Sequence, residues 1–244
     1  MKIYSVGGCV RDELLGKESK DIDFTFVLDD LNHSVEEGFK IMEDWMKSNK
    51  YSIFLSTPKM FTIRARFPKN HIHSGLTADF VLARKEIGYI EGTRKPILEL
   101  GTLYDDLARR DFTVNAIAKD ENGELVDPFN GKADLALKIL KTPLDPNITM
   151  MDDPLRILRA MRFSITKGFE IDNKILWAIK NPNILEKLKT VVSSERIREE
   201  LAKMMKHDTV KTLETIHKFN LLIPGFTELI FSRGLWLKPT FEKI

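Results

Sequence analysis

The sequence has little of what marks secreted or membrane-spanning proteins. Cys9 is the single cysteine among 244 residues, so no disulfide can form within the chain, and a reducing, cytoplasmic location is expected. No stretch of the sequence approaches about 18 consecutive apolar residues, the length that a membrane-spanning helix requires. The charged residues Arg11, Asp12 and Glu13 precede any apolar run, so no signal peptide is expected here.

The sequence also lacks a strong excess of one charge. Lys and Arg number 38 against 36 for Asp and Glu, a formal net charge of +2. Any contact with nucleic acid must therefore come from local basic clusters. We find no internal repeat or low-complexity tract, and 43% hydrophobic residues are enough for a sizeable core.

The apolar patterns divide the chain into a mixed first part and a helical second part. In the first part we predict strands over 2–6, 22–28, 61–67 and 77–83, helices over 10–15 and 36–50, and a hairpin with an Asn-Gly turn over 116–126. In the second part we predict helices over 153–163, 173–178, 195–205 and 210–219. The expected fold class is α+β, with a mixed β-sheet domain at 1–140, an all-helical domain at 141–223 and a tail of unknown role at 224–244.

Two aspartates one residue apart, Asp21 and Asp23, lie at the start of a predicted strand. Side chains at positions i and i+2 of a strand point to the same face, so these carboxylates repel each other unless a cation lies between them. Carboxylate oxygens suit Mg²⁺, which also binds substrate phosphates. A polar pair at a strand end is the alternative. Asp79, at the start of another apolar strand, either completes a trio of acids or is a strand-end aspartate.

Gly7 and Gly8 separate the first predicted strand from a helix. Because they lack Cβ atoms, their backbone N–H groups can approach a phosphate, and the positive end of the following helix points to the same place. Arg11, one turn into that helix, can reach the same anion with several donors. An ordinary strand-to-helix turn is the alternative.

The segment from Arg109 to Asn115 is dense in charge and includes Arg110 and Asp111. These side chains can grip phosphate and ribose hydroxyls. A helix end with solvated charges explains the same residues in isolation.

Asp153 begins the helical part of the chain, followed by Arg156 and Arg159, which share a helix face. An aspartate accepts from an exocyclic amine and an arginine donates to ring acceptors, so this pattern can distinguish one base edge from another. A capped helix with a local ion pair is the alternative. On a later helix, Arg196 or Arg198 could contact RNA phosphate, and a solvated helix face is the alternative.

The histidines indicate little. His71 and His73 have i,i+2 spacing, and His207 precedes Asp208, but neither pair is accompanied by the further ligands that a metal site needs. We interpret them as surface residues.

Five ordered blocks together resemble the class II tRNA nucleotidyltransferase and bacterial poly(A) polymerase family. The blocks are Gly7-Gly8-x-Val10-Arg11-Asp12 with Asp21-x-Asp23; Asp79 with Leu82-Ala83-Arg84; Arg109-Arg110-Asp111 with Asn115-Ala116; Asp127-Pro128-Phe129-Asn130-Gly131; and Asp153-Pro154-Leu155-Arg156-Ile157-Leu158-Arg159. The resemblance implies a nucleotidyltransferase head domain at 1–140, similar to that of polymerase beta, and a helical neck domain at 141–223.

The resemblance also implies roles for the charged residues. Asp21 and Asp23 would bind Mg²⁺, with Asp79 as a third catalytic carboxylate. The residues expected to bind the nucleotide are Gly8, Arg11, Arg110, Asp111, Asp153, Arg156 and Arg159. Within that set, Asp153 and Arg156 match the protein template that selects CTP or ATP.

The implied activity is the addition of CCA to the 3′ end of tRNA from CTP and ATP, by a two-metal mechanism and without a nucleic-acid template. An enzyme of partial specificity, adding CC, A or poly(A), shares these motifs. A non-catalytic RNA-binding remnant is the third interpretation, which the intact acids disfavour. Members of this family continue into body and tail helices that grip tRNA. Either a compact C-terminus, a second subunit or a homo-oligomer is expected to replace them, or the specificity for RNA is loose. No membrane partner is expected.

Overall fold

The computed structural model describes residues 1–19, 22–89 and 96–219. The chain divides into two compact units, Met1–Leu137 and Lys138–Ile244. The strands of the first unit are β1 (Lys2–Val6), β2 (Asp23–Val27), β3 (Ser52–Thr57), β4 (Thr62–Arg66), β5 (Thr77–Leu82), β6 (Arg84–Tyr89), β7 (Pro96–Leu100), β8 (Ala118–Lys119) and β9 (Leu125–Val126). Its helices are α1 (Gly8–Leu14), α2 (Val35–Ser48), α3 (Leu103–Ala108) and α4 (Gly131–Leu137).

Seven of these strands form one mixed sheet in the order β3-β4-β5-β2-β1-β8-β9. Strand β2 runs parallel to β5, and the other neighbours in this sheet are antiparallel. Strands β6 and β7 form a separate antiparallel pair. The mixed sheet confirms the expected fold class, and β8 and β9 form the hairpin that the Asn-Gly turn indicates, with Gly123 at φ +87°.

Alternation along the central strands gives the sheet one apolar face and one polar face. Phe24 and Phe26 of β2 point into a core that α2 covers with Phe39 and Met42. Burial of each such side chain contributes roughly 1.5–3 kcal/mol. Because successive residues alternate sides, Asp23 and Thr25 of β2 and Asp79 of β5 lie on the other face. We call this the polar face.

Helix α3 is attached to the polar face by a buried carboxylate, that of Asp106. It accepts hydrogen bonds from Thr25 Oγ1 at 2.7 Å, from Arg110 Nη2 at 2.9 Å and from Arg109. Burial acts to raise the pKa of Asp106, but the charges of Arg110 and Arg109 and these hydrogen bonds outweigh it and lower the pKa to about 2. The acid is therefore ionised at neutral pH and holds both arginines at the C-terminal end of α3.

The second unit is built from helices, as expected. They are α5 (Pro146–Asp152), α6 (Leu155–Lys167), α7 (Asn173–Ile179), α8 (Pro182–Thr190), α9 (Ser194–His207) and α10 (Thr209–Lys218). A short parallel pair, β10 (Ile139–Leu140) and β11 (Glu170–Ile171), is an addition that the apolar spacing did not indicate. Within the described ranges, no helix has the length and apolar character needed to cross a membrane.

Helices α6 and α9 are joined by a buried acid, Glu200, which is 4% exposed. Its Oε2 accepts from Arg162 Nε at 2.5 Å, and its Oε1 lies 3.8 Å from Arg159 Nη1 and 3.9 Å from Lys203 Nζ. A buried carboxylate requires such partners because desolvation of a lone charge is costly. Glu200 thus holds two arginines on the facing side of α6.

Replacement of Asp106 by Asn is expected to lower the free energy of unfolding by about 3 kcal/mol at pH 7, because two partly buried guanidinium groups lose their counter-charge. Asp44→Asn, on an exposed position of α2, is the matched control and is expected to change it by less than about 0.5 kcal/mol.

The loss of unfolding free energy in Asp106→Asn should depend on pH. Because the pKa in the fold, about 2, lies below the ordinary value of 3.8, ionised Asp106 stabilises the fold above pH 4. This contribution, about 2 kcal/mol, is lost as the pH falls through the folded pKa. Urea unfolding at pH 7, 5 and 3 measures it. If the difference in unfolding free energy between wild type and Asp106→Asn stays constant over this pH range, the ion-pair assignment is wrong.

Glu200→Gln should destabilise the packing of α6 on α9 by roughly 2 kcal/mol, because a charged acceptor is lost beside partly buried arginines. The neighbouring Glu199 is exposed, so Glu199→Gln is the control. Amide hydrogen exchange in α6 and α9 is the measurement. Equal protection in the two variants would show that Glu200 does not join these helices.

Candidate active site

Two of the three predicted acids are neighbours on the polar face. Asp23 of β2 and Asp79 of β5 are register partners in a parallel strand pair, so their side chains leave the same face about 4.8 Å apart. Asp23 is exposed and Asp79 is half-buried. Asp21 lies outside the described residues. The pairing of two distant segments thus brings together acids that the sequence separates by more than 50 positions.

Asp79 has a partner that the sequence analysis missed. Arg64 of β4 lies opposite Asp79 in the antiparallel register. Its Nε donates to Oδ1 and its Nη2 to Oδ2, each at 2.7 Å. The alternation of arginines in β4, at Arg64 and Arg66, was the available signal, but it did not indicate which strand would lie alongside.

The Gly7-Gly8 turn lies beside Asp23, because Val6, the last residue of β1, pairs with Asp23. Gly7 has φ +77°, which favours glycine, and a Cβ built on it would lie 2.9 Å from Arg110 Nη1. A Cβ on Gly8 would meet Arg11 Nη2 at an ordinary 3.5 Å. Glycine is therefore required more strictly at position 7 than at position 8.

Arg110 joins the turn to the polar face. Its Nη2 donates to Asp106 at 2.9 Å and lies 3.4 Å from Thr25 Oγ1. Thr25 follows Asp23 by two residues on the same face, about 7 Å along the strand. Within the described part of the chain, Arg110 Nε is buried and has no hydrogen-bond partner. Arg110 thus brings a guanidinium to the Gly7 turn, beside Thr25 of the polar face.

Arg11 and Asp111 belong to a buried network. Arg11 is 6% exposed; its Nε donates to Asp12 Oδ1 at 2.8 Å and its Nη1 to Asn115 Oδ1 at 2.5 Å. Asn115 Nδ2 donates to Asp111 Oδ1 at 2.8 Å, and the same oxygen accepts from the backbone N–H of Phe112. The network connects α1 to the segment after α3 and thereby supports the Gly7-Gly8 turn from beneath.

In the second unit, Asp153 lies between α5 and α6. Its Oδ1 accepts from the Leu155 backbone N–H at 3.2 Å, and its Oδ2 accepts from Arg196 Nη2 at 2.8 Å. Arg156 Nη1 donates to the carbonyl of Thr149 at 3.0 Å. The ion pair of Asp153 therefore reaches across to α9, which differs from the local pair with Arg156 that the sequence spacing left open.

Arg159 follows Arg156 by one turn of α6 and is held by Glu200. Its side chain is 34% exposed. The helix α9 therefore provides partners both to Asp153, through Arg196, and to Arg159, through Glu200. A sequence pattern alone does not indicate these contacts, because they depend on how two distant helices pack.

His71 and His73 are half-buried, which differs from their interpretation as surface residues. Both rings contact Phe67, with His71 stacked at 4.5 Å between centroids. Burial, and then the charges of His71 and Lys119, lower the pKa of His73. The two histidines line a cavity of about 310 Å³ on the apolar side of the sheet. They are packing residues of the first unit.

The acids of the polar face suit a hard divalent cation, because carboxylate oxygens are its preferred ligands and Asp23 is accessible to solvent. Among the residues that the structure describes, no group of three or more His, Cys, Asp or Glu side chains is placed to hold a metal ion. The described part of the site thus contains Asp23 and Asp79, with Arg64 bound to the latter.

Comparison with known proteins agrees with this geometry. Residues 3–141 match the model of the poly(A) polymerase head domain family. The chain is 33% identical over 258 aligned residues to a CCA-adding enzyme of Francisella tularensis subsp. tularensis, an alignment that covers 99% of this chain and 63% of that protein.

Solved structures give the same result. The fold is similar to that of the Bacillus stearothermophilus CCA-adding enzyme in complex with CTP, with a TM-score of 0.69, 27% identity and coverage of 90% of this chain and 48% of that one. It is also similar to a tRNA nucleotidyltransferase complexed with a primer tRNA and an incoming ATP analog, with a TM-score of 0.67, 28% identity and coverage of 91% and 58%.

The chain therefore corresponds to about half of the length of these solved relatives. The match to the head-domain model extends over more than half of the chain and includes the Gly7-Gly8 turn, both described acids and Arg110. This chain belongs to the tRNA nucleotidyltransferase and poly(A) polymerase family, as the five sequence blocks indicate.

Proposed function

We propose that this chain performs template-independent addition of C and A residues to the 3′ end of tRNA, with CTP and ATP as substrates. The observation that carries the proposal is the register of Asp23 with Asp79 beside Gly7 and Arg110. This arrangement supports binding of a nucleoside triphosphate at one side of the acids and of a reactive hydroxyl at the other.

Asp21, Asp23 and Asp79 are proposed as the catalytic acids, with Asp21 and Asp23 binding two Mg²⁺ ions. Bound there, the cations would neutralise phosphate charge and favour ionisation of the attacking hydroxyl. The role of the protein is to hold the carboxylates on one face of a rigid sheet. Because Asp23 lies in the central strand β2, its backbone position is set by hydrogen-bonded neighbours on both sides.

The triphosphate is proposed to lie at the Gly7-Gly8 turn. The position of the Arg110 guanidinium against the Gly7 turn, with the side chain 20% exposed, supports a direct contact of this guanidinium with phosphate. Arg11 and Asp111, which the same proposal places at the triphosphate and the ribose, would act largely by keeping the turn and Gly8 in place, since both are buried.

The base is proposed to be selected by Asp153, Arg156 and Arg159. The contacts of Asp153 with Arg196 and of Arg159 with Glu200 support this role, because each restricts the rotamers of a long or charged side chain. A restricted donor or acceptor discriminates better than a mobile one, since a wrong base leaves it unpaired.

The reaction is a displacement at phosphorus. The 3′-hydroxyl oxygen of the RNA bonds to the α-phosphorus, the bond from that phosphorus to the oxygen of the β-phosphate breaks, and pyrophosphate leaves. The hydroxyl proton passes to a carboxylate of the polar face or to water. Positioning and neutralisation of charge supply most of the rate increase in phosphoryl transfers.

The proposal assigns the catalytic head to residues 1–140 and the neck to 141–223, and leaves 224–244, outside the described residues, without a role. A tRNA 3′ end is the nucleic-acid partner, in the cytoplasm. A second subunit or a second copy of the chain remains part of the proposal for the grip on tRNA.

Incubation of tRNAs that lack CCA, CA or A with CTP alone, with ATP alone and with both nucleotides tests the activity. With both nucleotides, wild type should extend each tRNA to the CCA end, and Asp23→Ala should lower incorporation by at least about 10³-fold, since ligands of the reacting phosphate are essential. Asp44→Ala is the control. Incorporation that survives Asp23→Ala would overturn the site, whereas products of CC, A or poly(A) from wild type would assign the narrower activity.

Asp153→Ala should reduce the preference for CTP and ATP over UTP and GTP, because the acceptor for the exocyclic amine that cytosine and adenine share is lost; one such contact contributes roughly 1–3 kcal/mol. Competition of labelled CTP against UTP, and of labelled ATP against GTP, measures the ratio of incorporation. The control is Glu199→Ala, on an exposed position of α9. An unchanged ratio, with total incorporation intact, would remove Asp153 from base selection.

A further inference from the structure

We propose that Arg64 is a positioning residue that neutralises Asp79 in the free protein and transfers to a phosphate of the RNA 3′ strand when RNA binds. Transfer frees Asp79 to act with the cations. This inference rests on the proposed function, because it takes the polar face as the place where RNA and metal meet.

The geometry of the pair supports the first half of the inference. Both Asp79 oxygens accept from Arg64, each at 2.7 Å, in the fork arrangement that guanidinium groups also form with phosphates. The two residues are direct register partners on β4 and β5. Asp79 therefore presents a neutralised carboxylate to Asp23 on the next strand.

Electrostatics gives a reason for the pair. Like charges directly opposite on neighbouring strands are destabilising, and Asp23 and Asp79 are such a pair. In the metal-free protein, Arg64 relieves this repulsion. A divalent cation between the acids relieves it too, so the cation and Arg64 act as alternative counter-charges for Asp79.

Exposure makes the exchange feasible. The side chains of Arg64 and Asp79 are 55% and 29% exposed, and ion pairs that water reaches contribute little to stability. A polyanion can compete for such an arginine, since phosphate contacts dominate binding of nucleic acids. No backbone movement is required, because β4 is fixed by β3 and β5 on its two sides.

The order of the strands favours RNA over the nucleotide as the source of this phosphate. Along the sheet, the Gly7 turn follows β1, Asp23 lies on β2, Asp79 on β5 and Arg64 on β4. The triphosphate is proposed at the Gly7 end, beside Arg110. Arg64 lies beyond the acids at the opposite end, where the strand that carries the attacking hydroxyl has to approach.

Binding of Mn²⁺ alone, followed by the electron paramagnetic resonance of free Mn²⁺, tests the inference in the full chain. Without RNA, Arg64→Gln should bind Mn²⁺ roughly fivefold more tightly than wild type, the equivalent of one exposed ion pair. Arg66→Gln is the matched control. Arg66 lies two residues further along β4, and its guanidinium lies over the Phe54 ring, 5.2 Å from its centroid, so its variant should match wild type.

A tRNA that lacks its terminal A is then added, or a non-hydrolysable ATP analogue in its place. The tRNA should tighten Mn²⁺ binding by wild type and by Arg66→Gln more than by Arg64→Gln, whereas the ATP analogue should affect all three alike. If the analogue removes the difference between the variants and tRNA does not, the displacing phosphate belongs to the nucleotide, and the assignment to RNA is wrong.

A metal-independent readout accompanies this test. In EDTA, the slope of log affinity for tRNA against log salt should fall by about one in Arg64→Gln, as expected for one lost phosphate contact. Arg64→Lys retains the charge and should restore the slope, while forming a single contact to Asp79. An unchanged slope, or Mn²⁺ binding by Arg64→Gln that equals wild type, overturns the inference.

These outcomes are separable from failure of the proposed function. If wild type adds nucleotides but Arg64→Gln behaves as Arg66→Gln in both assays, the transfer of Arg64 is wrong and the enzyme assignment stands. If wild type neither binds Mn²⁺ nor incorporates CTP or ATP, both fail together. Circular dichroism of the variants checks that the exposed substitutions leave the fold intact.

Discussion

The polar face of the first unit depends on one buried charge, the carboxylate of Asp106. It is inaccessible to solvent, yet it is ionised because Arg109, Arg110 and Thr25 all donate to it. The carboxylate thereby connects α3 to β2 and determines where Arg110 lies. A buried charge with three donors fits one arrangement much better than others. The contacts of Asp106 that hold α3 in place therefore also set how far the Arg110 guanidinium lies from Asp23 and Asp79.

The local part of the fold could be predicted from the sequence, and the pairing of distant segments could not. Period-2 patterns predicted β2 and β5, because each strand buries one face, and an Asn-Gly turn predicted the hairpin of β8 and β9. Register is a property of two segments together. The approach of Asp79 to Asp23 and to Arg64 depends on three strands that no local pattern connects.

The same limit applies to the residues of the candidate site. Arg110 and Arg11 come from equally dense motifs, yet Arg110 lies against the Gly7 turn and Thr25, whereas Arg11 is buried against Asp12 and Asn115. Residue types and spacing identify side chains that can bind an anion. They do not show whether a guanidinium is already paired with a carboxylate of the protein. Arg110 is paired with Asp106, and no sequence motif singles out Asp106.

Acidic and basic side chains alternate across the polar face, and this alternation links the binding of a cation to the binding of an anion. Arg110 donates to Thr25, two residues from Asp23 on β2; Asp79 lies on the next strand, and Arg64 neutralises Asp79 from the far side. In such a row, a cation that binds the acids releases an arginine, and an anion that binds the arginine releases an acid. Under the proposed transfer of Arg64, metal and phosphate would each favour binding of the other without a conformational change of the backbone, since the exchange involves side chains on a fixed sheet. The coupling is reciprocal by thermodynamic necessity, so tighter metal binding with RNA implies tighter RNA binding with metal.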